Sequence, residues 1–278
     1  MPQVTVGVSL KTYFGHELAR AWFDDVAARV RDHDAVRSGA VSLFITPTYL
    51  QVLPALTAFA GTPVRVGGQD VSAEEPGAFT GEVSAAELAE VGAAIAEIGH
   101  AERRRLYGET EAVVAAKVDA ALRAGLTPLL CIGENDRQRP ADAADVAVAQ
   151  LASALSDAPA GAVIVAYEPV WAIGAPEPAP HEHVRVIAAA LRAALDADPA
   201  RAGSVVIYGG AAGPGLLTAL GDAVDGVFLG RFAHDPDALV SVLDEASALA
   251  LRLASRFLSE ERSDETKDAP SPADGASA

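Results

Sequence analysis

The sequence predicts an α/β protein folded as a single (β/α)8 barrel. Eight short apolar runs alternate with longer amphipathic stretches over residues 4–258 of the 278-residue chain, an order and a length that suit such a barrel. The apolar runs are nearly continuous, which is typical of parallel strands covered on both faces. Periodicity alone would also fit a doubly wound parallel sheet, so that fold is the alternative.

The eight predicted strands are, in chain order, Val4–Leu10, Val41–Ile45, Pro63–Val66, Ala93–Ile98, Thr127–Ile132, Ala162–Tyr167, Ser204–Tyr208 and Gly226–Leu229. The fourth is the least defined, because Val91–Ile98 also fits a helix. It contains Glu97, an acid inside an apolar run, which we expect to point outward and to have a partner.

The amphipathic stretches between the strands carry signals for helix ends. Pro47 and Pro236 stand where a first helical turn accepts proline, the latter after a capping Asp235. Ser84 and Glu87 have the spacing of a capping box. These signals support a helix after each strand.

Charge and composition exclude several classes of protein. Lys and Arg number 21 against 38 Asp and Glu, a formal net charge of −17 that would repel a nucleic acid. No apolar run is long enough to span a membrane, and the start lacks the features of a signal peptide. The single cysteine, Cys131, is expected to be a buried thiol in the fifth strand. We therefore expect a cytoplasmic protein without nucleic-acid or membrane partners.

The last twenty residues differ from the rest of the chain. Residues 259–278 read SEERSDETKDAPSPADGASA, with six acids, two bases and no large apolar side chain. Such a segment cannot bury enough apolar surface to offset the entropy lost on ordering. We expect a barrel domain over residues 1–258 and a disordered acidic C-terminal tail over residues 259–278.

Polar side chains follow several of the predicted strands. In a (β/α)8 barrel the active site lies at the carboxyl ends of the strands. Lys11 follows the first strand, His100 and Glu102 follow the fourth, and Glu168 follows the sixth. A cation, an imidazole and a carboxylate are the groups that proton transfer next to a carbonyl requires.

Several motifs resemble those of the triosephosphate isomerase family. The string AYEPVWAIG at Ala166–Gly174 resembles the family signature, and IGHAERR at Ile98–Arg104 resembles its IGHSERR segment. Gly77–Glu82, Leu130–Glu134 and Tyr208–Gly210 match in the same order and spacing. The likeness covers residues 4–256 and implies the barrel fold, here a TIM barrel.

The resemblance implies a role for each polar residue at the strand ends. Glu168 would be the catalytic base, His100 a neutral electrophile and Lys11 the cation beside the developing oxyanion, as in triosephosphate isomerase, the type example of this arrangement. Glu102 would be a supporting carboxylate with a possible part in proton relay. Such chemistry moves only protons, so neither a metal nor an organic cofactor is expected.

The chain departs from the family pattern in four places, three single residues and the lid segment. Ser9 replaces the Asn two residues before the catalytic lysine, and the lid after Gly174 reads APEPA instead of beginning TGK. Two prolines are expected to stiffen the far side of this lid. Ala211 replaces a serine and Arg231 replaces a glycine.

These departures alter the expected phosphate site. Backbone N–H groups at glycine-rich turns can still face a dianion, and the Arg231 guanidinium could bind it with two hydrogen bonds. The alternative is that Arg231 pairs with an acid at the rim, such as Asp235. The predicted substrate-binding residues are Ser9, Gly174, Gly209, Gly210, Ala211, Gly230 and Arg231.

Ser9 bears most directly on the choice of substrate. A short side chain beside Lys11 leaves space that a three-carbon substrate does not need and an additional CH2OH group would fill. SLK at residues 9–11 and GRFAHDP at 230–236 resemble the branch of the family that acts on erythrulose phosphates in erythritol breakdown. The favoured reaction converts L-erythrulose 1-phosphate to D-erythrulose 4-phosphate. The alternatives are a true triosephosphate isomerase and a non-catalytic barrel with a binding or regulatory role.

The resemblance also implies an assembly. Gly77–Leu88 resembles the intersubunit loop of the family, in which Thr80 would reach toward the neighbour's active site, so a homodimer is expected. The triplet His181–His183 could suggest a metal ligand set, but its two histidines point to different sides of a helix. We interpret the triplet as a polar helix start.

Overall fold

The computed structural model describes residues 3–267 and places eight parallel strands in a closed barrel. The strands are β1 (Val4–Ser9), β2 (Val41–Thr46), β3 (Arg65–Gly68), β4 (Ile95–Ile98), β5 (Thr127–Ile132), β6 (Ile164–Tyr167), β7 (Val205–Tyr208) and β8 (Gly226–Leu229). Each strand pairs with the next, and β8 also pairs with β1. The predicted (β/α)8 barrel is confirmed, and the doubly wound alternative is wrong because the sheet has no open edge.

Ten α-helices surround the barrel within the described residues. They are α1 (His16–Arg31), α2 (Asp34–Arg37), α3 (Tyr49–Ala58), α4 (Ala85–Glu90), α5 (Ala101–Tyr107), α6 (Glu111–Arg123), α7 (Pro140–Leu155), α8 (His181–Asp196), α9 (Leu216–Leu220) and α10 (Pro236–Lys267). None of the described helices is both long and apolar enough to cross a bilayer.

The core has two layers because successive strand residues point to opposite faces of the sheet. One set of alternating residues fills the barrel interior, including Phe44, Ile95, Leu129 and Phe228. The other set faces the helices and belongs to a larger buried cluster. Full burial of each large side chain contributes about 1.5–3 kcal/mol. Cys131 belongs to the inner layer and is buried, as predicted.

The ambiguous fourth element is a strand. Ile95–Ile98 is in parallel register with β5, and α4 ends before it, at Glu90. Gly92 then adopts a φ of +96°, a left-handed conformation that favours glycine and stops the helix. The helical interpretation of this run is therefore wrong.

Two of the predicted helix starts are confirmed and one is wrong. Ser84 Oγ accepts a hydrogen bond of 3.1 Å from the Glu87 backbone N–H. Pro236 opens α10, behind an Asp235 that accepts the N–H of residue 237. Pro47 precedes the N-cap of α3 instead of lying in its first turn, because β2 extends to residue 46 and leaves two extended residues before the helix.

The C-terminal helix α10 is longer than the sequence predicts. It continues to Lys267, so the predicted boundary at residue 258 lies inside it. The added stretch is rich in Glu, Arg and Lys, which have high intrinsic helix propensity. Residues 268–278 of the predicted tail lie outside the described residues.

Candidate active site

A cavity of about 600 Å³ opens at the carboxyl ends of the strands. Its walls include Ser9, Lys11, His100, Glu102 and Glu168, each of which follows or ends a strand. The four polar residues predicted at the ends of three strands, Lys11, His100, Glu102 and Glu168, therefore lie together in one cavity.

Lys11 lies in this cavity in an uncommon backbone conformation. Its φ is +47°, the left-handed region, which costs a non-glycine residue about 1–3 kcal/mol. Gln69 stabilises this turn by donating from Nε2 to the carbonyl oxygens of Lys11 at 2.9 Å and Thr46 at 3.0 Å. The turn directs the ammonium group toward Glu102, whose Oε1 lies 2.8 Å from Nζ.

The Lys11–Glu102 pair keeps both groups charged. Burial acts to lower the pKa of Lys11, but the hydrogen bond to Glu102 and the neighbouring carboxylates outweigh it and raise that pKa. Burial acts to raise the pKa of Glu102, and its bond to Lys11 outweighs this effect and lowers that pKa. A fixed positive charge therefore faces the cavity.

The start of α5 fixes the hydrogen-bonding role of the His100 imidazole. It is the N-cap residue of that helix, and its Nδ1 accepts a 3.1 Å hydrogen bond from the Glu102 backbone N–H. An accepting Nδ1 places the ring proton on Nε2. Nε2 lies 3.6 Å from Oε2 of Glu168, so the N–H donor shares the cavity with that carboxylate.

Glu168 follows β6 on the inner face of the barrel and is only 7% exposed. Two glycines make room for it, because a Cβ at Gly209 would clash with its side chain and one at Gly133 with its backbone carbonyl. Within the described chain, its Oε2 is buried with no hydrogen-bond donor. A desolvated oxygen without a donor is well suited to accept a proton.

Most of the predicted phosphate-binding residues line the same cavity. Gly174, Gly210, Ala211, Gly230 and Arg231 all line it. Gly209, also predicted to bind substrate, is not part of the lining and packs beneath Glu168 instead.

Arg231 begins a 3₁₀ turn, Arg231–His234, at the cavity rim. Over residues 3–267 it forms no ion pair or hydrogen bond, and Asp235 instead accepts the N–H of residue 237. The predicted alternative, in which Arg231 pairs with Asp235, is therefore absent from this structure. Its guanidinium is available to an anion in the cavity.

A lid follows Glu168 and is fixed at both ends. At its start, Glu134 accepts hydrogen bonds from Trp171 Nε1 at 2.8 Å and Tyr167 Oη at 3.1 Å, and lies 2.9 Å from His183 Nε2. At its far end, the backbone N–H of Ala179 donates to Tyr208 Oη at 2.9 Å. These contacts fix the segment between residues 172 and 179 at its two ends.

The histidine triplet at the start of α8 does not form a metal site in the described chain. His183 is buried against Glu134, and no cluster of three potential metal ligands occurs among the described residues. As predicted, His181 begins the helix.

Three residues of this site were missed by the sequence reasoning. Gln69 follows β3 and Glu134 follows β5, so the strand-end rule that found Lys11 could have found them. Glu97 was predicted to point outward, which is wrong. It shares the inward parity of Ile95 on β4, is 3% exposed, and its carboxylate accepts hydrogen bonds from Thr46 and Ser9.

Comparison with known proteins identifies the family. The family model described as triosephosphate isomerase matches residues 4–246. The chain belongs to the triosephosphate isomerase family. It is accordingly a sugar-phosphate isomerase.

Three members of the triosephosphate isomerase family illustrate the likeness. The chain is 46% identical over 252 residues to the L-erythrulose-1-phosphate isomerase of Pectobacterium atrosepticum, covering 89% of this chain and 97% of that protein. It is 41% identical over 231 residues to the triosephosphate isomerase of Alcanivorax borkumensis, covering 80% and 93%. The crystal structure of the Bartonella henselae triosephosphate isomerase matches with a TM-score of 0.75 at 29% identity, covering 87% and 98%.

Against the triosephosphate isomerase pattern, the departures lie around one cavity. Ser9, Ala211 and Arg231 all line it, and the APEPA lid begins at its edge with Ala175. Lys11 and Glu168, which match the family, line the same cavity. The positions that match the family and the positions that differ from it therefore share one cavity.

Proposed function

We propose that this chain interconverts L-erythrulose 1-phosphate and D-erythrulose 4-phosphate through an enediol or enediolate. The observation that carries the proposal is Ser9, a short side chain on the cavity wall where the family has Asn. The tetrulose phosphate equals dihydroxyacetone phosphate with a CH2OH group added on the carbon that loses its proton. The similarity to an L-erythrulose-1-phosphate isomerase over nearly its whole length supports the same substrate.

The proposed reaction starts with proton removal from carbon 3 by Glu168. That carbon acid is very weak, so the charge that develops on the C2 oxygen must be stabilised as it forms. The ammonium of Lys11 and the Nε2–H of His100 face the cavity as preorganised donors for that oxygen. Loss of one such donor typically costs about 3–4 kcal/mol of transition-state stabilisation.

The second half of the reaction reverses the first at the neighbouring carbon. His100 gives the Nε2 proton to the C2 oxygen and takes a proton from the C3 oxygen, so the imidazole returns to its neutral form. Glu168 then returns its proton to carbon 2, which moves the carbonyl to carbon 3. Atoms and charges balance without a redox partner, since only protons and one electron pair shift.

We propose that the phosphate group lies at the Arg231 side of the cavity. Arg231 forms no ion pair within residues 3–267, and Gly174, Gly210 and Gly230 line the same cavity. Backbone N–H groups at such turns suit a dianion, and a guanidinium adds charge-assisted hydrogen bonds. This local positive charge would offset the acidity of the whole chain.

We also propose a homodimer that uses the loop at residues 77–84 and the outer face of α3. Leu50 and Leu53 on α3 and Phe79 in the loop are exposed apolar side chains on the described surface. Exposed apolar patches of this kind mark interaction surfaces. The range predicted for the loop ends inside α4, where Leu88 is buried in this chain.

We place the enzyme in the cytoplasm and in erythritol breakdown. The cytoplasmic assignment rests on a single, buried cysteine, which suits a reducing compartment. The assignment to erythritol breakdown follows from the proposed substrate, which is a phosphate of the four-carbon ketose erythrulose.

The test is kcat/KM on two substrates, L-erythrulose 1-phosphate and dihydroxyacetone phosphate. The proposal predicts a preference of at least about tenfold for the tetrulose, the size expected from one well-fitted group. A preference for the triose would instead support a triosephosphate isomerase, the alternative favoured by the 41% identity to such an enzyme. Absence of turnover on both would support a non-catalytic barrel.

A further inference from the structure

Glu97 is a buried carboxyl that the mechanism above does not use. It lies on the inner face of β4, shares the inward parity of Ile95, and is 3% exposed. Among residues 3–267, no lysine, arginine or histidine nitrogen lies within ion-pairing distance of its oxygens. An acid in this position carries a desolvation cost that an apolar residue would not.

Its hydrogen bonds connect three strands. Oε2 of Glu97 accepts from Thr46 Oγ1 at 2.7 Å and from Ser9 Oγ at 3.1 Å. Thr46 ends β2 and Ser9 ends β1, and both are buried. Of these three side chains, Ser9 is the one that lines the cavity.

The direction of the Ser9 bond determines what Ser9 can offer a substrate. A serine hydroxyl has one hydrogen, and a carboxylate can only accept. When the Ser9 hydrogen is given to Glu97, the oxygen retains only lone pairs toward the cavity. Ser9 is then an acceptor, and its complement is a hydroxyl group of the substrate.

We propose that Glu97 is a positioning residue that fixes Ser9 as the acceptor for the C4 hydroxyl of the substrate. This inference rests on the proposed function, because a triose phosphate has no C4 hydroxyl. The short side chain of Ser9 leaves room for the CH2OH group of the substrate. In this inference its oxygen also accepts a hydrogen bond from the hydroxyl of that group. A site built to pair with a hydroxyl rejects an analogue that lacks it, because the buried acceptor is then left unsatisfied.

The experiment compares L-erythrulose 1-phosphate with 1,3-dihydroxybutan-2-one 1-phosphate, its 4-deoxy analogue, at about pH 8. The wild-type enzyme is expected to prefer the hydroxylated substrate by at least about tenfold in kcat/KM. Glu97→Leu removes the carboxylate, and we expect this preference to fall to less than about threefold. Ser9→Ala should lower it equally, and adding Glu97→Leu to Ser9→Ala should lower it no further.

A merely structural role for Glu97 predicts a different result. In that case kcat/KM would fall by the same factor on both substrates and the preference would be unchanged, which would overturn the inference. Should Glu97→Leu not fold, Glu97→Gln keeps the shape and an accepting oxygen. It is expected to retain more of the preference than Ser9→Ala, and equal loss would contradict the proposal.

The two proposals fail in different ways. If the wild-type enzyme does not turn over the tetrulose phosphate, the proposed function and this inference are both overturned. If it does so without discriminating against the deoxy analogue, the inference alone fails.

Discussion

At the residue scale, the proposed reaction depends on a carboxylate that can accept a proton. Glu168 is buried, and its Oε2 has no hydrogen-bond donor in the described chain. Glu168→Gln should lower kcat about 10²- to 10⁴-fold with little change in KM, because the amide keeps the shape but cannot act as a base. Steady-state kinetics on the preferred substrate checks this, with Glu182→Gln on the exposed start of α8 as the control. If the Glu168→Gln variant keeps its activity, Glu168 is not the catalytic base.

Ser9 is the residue that should control substrate size. Ser9→Asn restores the family residue and fills the space assigned to CH2OH, so kcat/KM for L-erythrulose 1-phosphate should fall about 10- to 100-fold. The value for dihydroxyacetone phosphate should fall less. Ser255→Asn, on the exposed side of α10, is the matched control. Equal losses on both substrates would refute the steric role of Ser9.

Glu97 should make the stability of the folded chain depend on pH. Burial, partly offset by His100 and the Thr46 hydrogen bond, raises its pKa from 4.5 to about 7. Between these values the folded state holds a proton that the unfolded state has lost, so stability falls as pH rises. Ionisation of Glu97 should lower the free energy of unfolding by about 3 kcal/mol in total, because each tenfold change in the acidity constant corresponds to about 1.36 kcal/mol.

Denaturant unfolding of the wild type and Glu97→Gln at several pH values measures this effect. The difference in unfolding free energy between them should change by that amount from pH 4.5 to pH 7 and then level off. A difference that does not vary with pH would show that the Glu97 carboxyl titrates normally in the folded protein.

Prediction of individual site residues succeeded where a general rule relates a residue's position in the sequence to its location in the fold. The strand-end rule brought Lys11, His100 and Glu168 to one cavity. It could not orient Glu97, because in a strand that is apolar on both faces the sequence does not mark which parity points inward. The partners of Glu97, Ser9 and Thr46, come from other strands and become neighbours only when the barrel closes.

At the element scale, the lid is the segment whose motion should matter most. The bond from the Ala179 N–H to Tyr208 Oη fixes its far end, and Glu134 fixes its near end through Trp171. Closure of such lids excludes water from the reaction, a role for which triosephosphate isomerase itself is the standard example.

Tyr208→Phe should loosen the far end of this lid. A hydrogen bond of this kind contributes about 0.5–1.5 kcal/mol, so kcat/KM should fall about 2- to 10-fold. Amide hydrogen exchange should become faster in residues 174–179 and stay unchanged in β7. A fall in kcat/KM without faster exchange would assign the effect to the site rather than to the lid.

The predicted boundaries of strands and helices agree with the structure where the local sequence signals are strong. Thr127–Ile132 and Gly226–Leu229 match β5 and β8 to the residue. The end of α10 did not, because its added residues form a helix through their own propensity without an apolar face to reveal it. Pro47 misplaced the start of α3 because proline also suits the extended residues between a strand and a helix.

At the scale of the whole molecule, the exposed apolar residues on α3 predict association. Sedimentation velocity should give a dimer, twice the 28.4 kDa chain mass. Leu50 is 85% exposed, and Leu50→Asp should shift the enzyme toward monomer by placing a charge in the interface. Leu251→Asp, at a leucine on α10 that is 67% exposed, should leave the dimer intact. A wild-type monomer at micromolar concentration would refute the assembly.

The central claim, enediol proton transfer on a tetrulose phosphate, is tested most directly by NMR in D2O. Incubation of L-erythrulose 1-phosphate with the enzyme should place deuterium on carbon 3 of D-erythrulose 4-phosphate, which is carbon 2 of the substrate, and on carbon 3 of the returned substrate. Glu168→Gln should abolish both signals. Exchange into dihydroxyacetone phosphate alone, with the tetrulose unlabelled and unconverted, would contradict the account.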